Sequence, residues 1–257
     1  MVLIAKISKG SQMDQVYLPK SRPPGFAVGN RVEIKPTRKR KKSFYTHHVQ
    51  SFEPIKQLMV NEIFDYFAHV DNILITGSFL EKGFYFNDVD IVVINEISEE
   101  QLWKDYFKKA LGINVHIICI NRKSLLKGLR TDPLFQLMLN RYIAKKREFF
   151  RYHNEFHYKI LDLHVHSSKS LIDSFDLLTG GEKYKLVRNL IAIRLFLVKK
   201  QLTKKSVNKE MEKLFGKNVI SELQNNMVEK RIFLKKYKAV YKKTFNKIMK
   251  SIKNDSK

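Results

Sequence analysis

Cysteine is almost absent, with Cys119 the single one in 257 residues. One cysteine excludes an intramolecular disulfide and a thiolate metal cluster, and its place in an apolar run marks it as core filling. No apolar run approaches the ~18–20 residues that a membrane-spanning helix needs. The opening Met-Val-Leu-Ile-Ala-Lys is too short for the apolar region of a secretory signal. The expectation is a cytoplasmic protein with no membrane partner. Acidic residues are also scarce, 25 against 49 Lys and Arg, for a net charge of +24.

What is present can build a core, since 44% of the chain is hydrophobic and 18 residues are Phe. The positive charge is unevenly spread. Residues 1–43 hold 11 Lys and Arg against 2 acids, residues 182–257 hold 22 against 6, and residues 44–181 are balanced at 16 against 17. A neutral centre flanked by two basic segments suits a polyanionic partner such as DNA or RNA. The simpler alternative is a lysine-rich chain with solvated lysine faces.

The centre is organised around Ile73-Leu-Ile-Thr-Gly-Ser-Phe-Leu-Glu-Lys-Gly-Phe-Tyr-Phe-Asn-Asp-Val-Asp-Ile-Val-Val-Ile94. Two short apolar runs bounded by turn residues read as buried strands. Alternation along a strand puts Asp88 and Asp90 on one face and Val89 on the other. Two carboxylates roughly 6–7 Å apart repel by about 2–3 kcal/mol at an effective dielectric near 20. A divalent cation reverses that sign, and magnesium favours one or two carboxylates plus phosphate oxygens. Gly77 allows close backbone approach, and Ser78 with nearby N–H groups can hold a phosphate. The alternative is an acidic turn with both Asp side chains solvated.

Gly77-Ser78, a nine-residue loop and Asp88-Val89-Asp90 together resemble the signature of the DNA polymerase β-like nucleotidyltransferase superfamily, over about residues 55–120. The resemblance implies that Asp88 and Asp90 bind Mg²⁺ (or Mn²⁺) and that Gly77 and Ser78 cradle an NTP. That superfamily usually carries a third carboxylate, the general base, on a following strand. Here the matching place in Ile113-Asn-Val-His-Ile-Ile-Cys-Ile120 falls on His116, read as lying in a buried strand. A neutral imidazole can accept a proton near pH 7, but it cannot bridge a hard cation as a carboxylate does. His116 is therefore either the base or the mark of a degenerate site.

The first 36 residues read as small β structure, with strands at Val2–Lys6, Gln15–Pro19 and Arg31–Ile34, a turn at Lys9-Gly-Ser, and Pro and Gly punctuation between. Lys6-Ile-Ser-Lys-Gly-Ser-Gln, Val16-Tyr-Leu-Pro-Lys20 and Phe26-Ala-Val-Gly-Asn-Arg-Val-Glu-Ile34 resemble the AbrB/SpoVT swapped-hairpin DNA-binding family. Departures are an inserted Ser11–Asp14, Asn30 in place of Asp, and Arg22-Pro-Pro-Gly in place of a helical turn. The resemblance implies a homodimer, since so short a hairpin cannot bury a core alone, and duplex-DNA contacts through Lys6, Lys9, Lys20 and Arg22. Arg38-Lys39-Arg40-Lys-Lys42 is a basic linker that can also track phosphates.

Helical spacing marks residues 52–70, a helix opening at Ser98 as N-cap, and residues 121–150. His153 and His157 lie four apart, with His164 and His166 beyond, but no third ligand stands at zinc spacing. After the Thr179-Gly-Gly-Glu182 break, Lys183 to Leu202 is apolar on most sides, as suits a central helix. In the nucleotidyltransferase superfamily the helical region after the sheet contacts the nucleotide, which makes Lys183, Lys185 and Arg188 candidates. Arg188-Asn189 is also similar to the Arg-Asn of helical nuclease-like (HEPN) proteins, but Arg194 stands where that motif has its histidine. Val219 to Ile252, without Gly or Pro, reads as one long helix.

The expected fold is therefore α+β, a nucleotidyltransferase-type mixed sheet with flanking helices between a small β domain and a helical one. The expected division is 1–43 (AbrB-like domain and linker), 44–150 (nucleotidyltransferase-like) and 151–257 (basic helical). The expected activity is Mg²⁺-dependent transfer of a nucleoside monophosphate from an NTP to a hydroxyl of RNA, protein or a small molecule. The alternatives are a dimeric DNA-binding regulator with a degenerate transferase domain, or an antitoxin-like partner of a toxin.

Overall fold

The computed structural model describes residues 7–18, 20–33, 44–49, 51, 53–84, 86–94, 100–148, 150 and 152–255. Two compact units are formed, Met1–Lys42 and Ser43–Lys257.

In the first unit β1 (Ile7–Ser8) pairs antiparallel with β2 (Gln15–Val16). Gly10 closes this hairpin because a side chain would not fit: its Cβ would lie 2.0 Å from the Met13 carbonyl oxygen. A 3₁₀ turn follows at Pro24–Phe26, clamped by Arg22 Nε donating to Phe26 O at 2.6 Å. The expected strand at Arg31–Ile34 does not form over Arg31–Glu33, and Val2–Lys6 and Ile34 lie outside the described residues. None of the unit's residues with a described side chain is buried, and two-residue strands are too short to be stable alone.

The second unit is α+β. Its sheet runs β3 (Tyr45–His47), β7 (Tyr142–Ala144), β4 (Asn72–Thr76), β5 (Asp88–Ile94), β6 (Asn114–Ile120). Neighbours are antiparallel except β5 and β6, which are parallel. That parallel pair needs a crossover, supplied by α2 (Glu100–Leu111). On one face Ile73, Ile75, Val89, Ile91 and Val93 meet α1 (Pro54–Tyr66) and α2 through Val60, Ile63, Trp103 and Phe107. On the other face Leu74, Val92 and Ile94 meet α3 (Arg122–Thr131) and α4 (Pro133–Met138). The helix expected to open at Ser98 is present over Glu100–Leu111, and its expected cap Ser98 lies outside the described residues.

The stretch 121–150 is not one helix. Asp132 is extended, as a residue before proline prefers, and its carboxylate caps α4 by accepting from the N–H groups of Leu134 and Phe135. Tyr142-Ile-Ala then forms β7, buried between β3 and β4, so sheet pairing overrides its helical spacing.

A helical layer follows: α5 (Tyr158–Asp173), α6 (Gly180–Phe196), α7 (Lys204–Phe215), α8 (Val219–Gln224) and α9 (Lys230–Asp255). Thr179 and Glu182 cap α6 reciprocally. Val187, Leu190 through Ile193, Leu195 and Phe196 are all buried, making α6 the central helix. It packs on α5, α7, α8 and α4. α4 joins the two layers, with Phe135 and Met138 toward the sheet and Leu134 and Leu137 toward the bundle. The long terminal helix is interrupted between α8 and α9, because Asn226 takes φ +57°, a conformation Asn tolerates without proline or glycine nearby. Among the described residues no helix is long and apolar enough to cross a membrane.

Candidate functional site

β4 and β5 bring the two halves of the motif together. Thr76 pairs with Asp90 across the antiparallel ladder, which leaves Gly77 at the end of β4 beside the Asp90 carboxylate. Gly77 has φ +83°, and a Cβ there would lie 2.0 Å from Asp90 Oδ2. Ser78 opens the 3₁₀ turn Ser78–Leu80 and is exposed. Asp88 and Asp90 are both half-buried and alternate with the fully buried Val89 and Ile91.

His116 stands opposite Asp90 in the parallel ladder, with Nδ1 3.2 Å from Asp90 Oδ1. The expectation of a buried strand is corrected here: β6 is the sheet edge, and Asn114 and His116 are exposed. Val115 and Ile117 turn into the core under α1 and α2, and the face that carries Asn114 and His116 is left in solvent. An ionised Asp90 can only accept, so this contact selects the form with the proton on Nδ1, and a neutral ring so held has its lone pair on Nε2. Burial pushes the Asp90 carboxyl above its ordinary value; the Asp88 charge adds to that, while the His116 hydrogen bond and the Lys185 cation oppose it.

The loop between the motif halves is held from beneath by a lysine that no sequence signal marked. Lys56 is fully buried. Its Nζ donates to Glu81 O at 2.5 Å and pairs with Glu53 Oε2 at 3.1 Å. It also lies 5.4–5.6 Å from the ring centroids of Phe79, Phe84 and Phe86. Glu53 Oε1 accepts from Gly83 N–H at 2.6 Å. Thr76 Oγ1 donates to Met138 O and Arg141 O, fixing the turn after α4 against the end of β4.

The three candidates on α6 separate. Lys185 is exposed and its charge acts on Asp90. Lys183 is buried, donates to Asn226 Oδ1 at 2.8 Å and lies 4.2 Å from the Phe175 centroid, so it serves the helical layer. Arg188 donates to Asn189 Oδ1; burial lowers its guanidinium pKa, opposed by Tyr184 and Glu81. Glu81 in turn pairs with Lys204 at 2.6 Å and Arg141 at 3.3 Å. Burial alone would raise the Glu81 carboxyl, but those two cations hold it below its ordinary value. Lys204 and Arg141 thus come near the motif loop through Glu81, from positions that show no pattern in sequence.

For a metal the donors on offer are the Asp88 and Asp90 oxygens. Among the described residues no three His, Cys, Asp or Glu side chains converge to hold an ion. A pair of hard carboxylates at a strand end beside Gly77 fits Mg²⁺ or Mn²⁺ completed by phosphate oxygens and water. In the first unit Lys9 and Lys20 are exposed and Arg22 is engaged with Phe26. Lys6, Arg38, Lys39 and Arg40 lie outside the described residues. Comparison with protein-family models, with curated proteins and with solved structures returns no match.

Proposed function

We propose that the protein is a divalent-metal-dependent nucleotidyltransferase that moves a nucleoside monophosphate from an NTP to a hydroxyl. The observation that carries this reading is the contact of Gly77 with Asp90, with Asp88 one alternation away on the same strand face. Asp88 and Asp90 would hold Mg²⁺, which when bound supplies charge neutralisation at the triphosphate and a lowered pKa for the attacking hydroxyl. Gly77, Ser78 and Lys185 receive the triphosphate oxygens. His116 Nε2 accepts the hydroxyl proton, its ring held in the right tautomer by Asp90, as a carboxylate orients a catalytic imidazole. The acceptor oxygen bonds to the α-phosphorus, the bond to the bridging oxygen of the β-phosphate breaks, and pyrophosphate leaves.

The test is transfer of α-phosphate label from each NTP, with Mg²⁺ or Mn²⁺, to RNA, to the protein or to a small molecule. Label that appears with wild type and is absent with Asp90→Asn supports the reading. A second reading rests on His116: its bond to Asp90 occupies a carboxylate oxygen that a metal would use. On that reading the domain is a retired transferase in a dimeric DNA-binding regulator or an antitoxin-like protein. Tight duplex-DNA binding that is steeply salt-dependent and indifferent to Asp88 and Asp90, with no label transferred, would favour it.

A further inference from the structure

Beyond the Met138–Arg141 turn lies a separate cavity of about 740 Å³, within the usual range for a ligand pocket. It is bounded by β3 and β7 at one sheet edge, by α3 and α4, and by the turn after α6. Three of its lining rings form a continuous stack. His47 lies 4.1 Å from His48 and 4.9 Å from Tyr142, at 33° and 22°. His48 is exposed and His47 half-buried, so the stack ends on an open face. Exposed Tyr152 and His153 line the same space.

The same cavity also carries two cations. Lys199 and Lys200 are exposed and line the cavity. The lining carboxylate, Glu148, is buried and already bound by Asn72 and Arg122. Lys199 takes φ +52° as the left-handed cap of α6, its N–H and that of Lys200 donating to Phe196 O and Leu195 O, and this cap presents both lysines at the cavity. His48 Nδ1–H donates to Asn140 O at 3.0 Å, which locks the ring and leaves Nε2 as the acceptor.

An open stack of aromatic rings in one cavity with two lysines is complementary to a planar, anionic ligand, a nucleobase with its phosphate. Two observations favour a strand over a free nucleotide. Residues 182–257, which supply Lys199 and Lys200, carry 22 Lys and Arg against 6 acids; cations spread so widely suit a continuous phosphate chain. The cavity also shares a wall with the candidate transfer site: Asn140 O holds His48, and the next carbonyl, Arg141 O, holds Thr76 beside Asp90.

We infer that this cavity binds single-stranded nucleic acid, one base stacking on His48, His47 and Tyr142 while Lys199 and Lys200 hold its phosphates. As a binding site it stands by itself; as the site of the acceptor strand it rests on the transferase reading.

The experiment is fluorescence anisotropy of a fluorescein-labelled oligoadenylate RNA with the full-length protein in EDTA. Lys199→Glu with Lys200→Glu, two exposed positions, is compared with the same charge change at the exposed Lys242 and Lys243 of α9. The account expects the cavity pair to weaken binding about 5- to 100-fold and to flatten the log–log salt slope by about 1–1.5. The α9 pair should change affinity less than about threefold. His47→Ala, checked for folding by circular dichroism, should weaken binding about 5- to 100-fold. Asp88→Asn with Asp90→Asn, which removes two negative charges and the candidate metal ligands, should bind the RNA no more weakly than wild type in EDTA, so that a loss of transfer without a loss of binding separates this inference from the transferase reading. Equal losses in the two lysine pairs would overturn it, showing diffuse attraction. Competition by AMP as strong as by unlabelled oligoadenylate would overturn the strand assignment and make a free nucleotide the occupant. Absence of binding would overturn both.

Discussion

The Asp90 carboxylate occupies the space that any side chain at Gly77 would need: a Cβ there would lie 2.0 Å from Asp90 Oδ2. With φ at +83° the backbone adds its own demand for glycine. Gly77→Ala should therefore lose about 1–3 kcal/mol of stability and push Asp90 out of place. Urea denaturation reads the first effect and nucleotide binding the second. An alanine variant with wild-type stability and binding would show that this contact is unimportant.

Removing the Asp90 charge should separate stability from function. Its folded pKa is raised, so the stability it contributes is complete below its unfolded pKa and is lost as pH rises through the folded one. At pH 7.5 the ionised carboxylate therefore destabilises the metal-free fold. Asp90→Asn should melt higher than wild type there, with the gap vanishing toward pH 3, while transfer falls at least about 100-fold. A lower melting temperature for Asn at neutral pH would contradict the assignment.

Asp132 should behave with the opposite sign. Burial opposes its ionisation, but His164 and the N–H groups of Phe135 and Leu134 hold its pKa below the ordinary value. Its contribution is present above the unfolded pKa and lost as pH falls through the folded one, that is, below about pH 4. Asp132→Ala should cost about 1–3 kcal/mol at pH 7 through the lost cap and the orphaned His164 contact. Asp132→Asn, which keeps a capping oxygen, should cost less. Thermal melts at pH 7 and pH 3 measure both.

His116 as the base predicts a signature that a structural role would not move. His116→Gln should lower kcat about 10²- to 10⁴-fold and abolish the acid limb of the pH–rate profile, with NTP affinity nearly unchanged. His116→Asp should recover part of the rate and shift the limb to lower pH. An unchanged profile in His116→Gln would assign the proton transfer elsewhere.

Lys56→Met should release the motif loop. It removes the cation on Glu53 and the donor to Glu81 O, at a cost of about 2–3 kcal/mol. Protease cleavage within residues 81–86 should accelerate while α9 stays protected, as mass spectrometry of limited digests would show.

The local pattern of the centre was legible because strand alternation is a short-range property. Apolar runs with Gly77-Ser78 and Asp88-Val89-Asp90 predicted two strands, a turn and two carboxylates on one face, and all three formed. The place of His116 beside the acidic pair followed from the resemblance to the superfamily rather than from any local spacing, and the exposure of β6 was not legible, because it depends on which strand pairs last and on what covers it. The α3–α4 break at Asp132-Pro133 was visible in sequence, but the end of α4 and the start of β7 were hidden by the apolar spacing that runs on through Tyr142 and Ile143. Lys183 looked like a phosphate ligand beside Lys185. Two positions along a helix is about 200° of rotation, and that rotation sends it to Asn226 instead. The contributions of Lys56, Arg141 and Lys204 arise from contacts across 25 to 123 residues, which no local pattern encodes.

The most direct measurement of the central claim does not depend on knowing the acceptor. Mn²⁺ binding would be followed by electron paramagnetic resonance with and without an α,β-nonhydrolysable NTP, for wild type and for Asp88→Asn with Asp90→Asn. The account predicts that wild type binds Mn²⁺ weakly alone and at least about tenfold more tightly with the nucleotide, and that the double variant loses this coupling. Equal Mn²⁺ and nucleotide binding by the two proteins would contradict it, and would leave Asp88 and Asp90 as a solvated pair in a chain that acts through its basic surfaces alone.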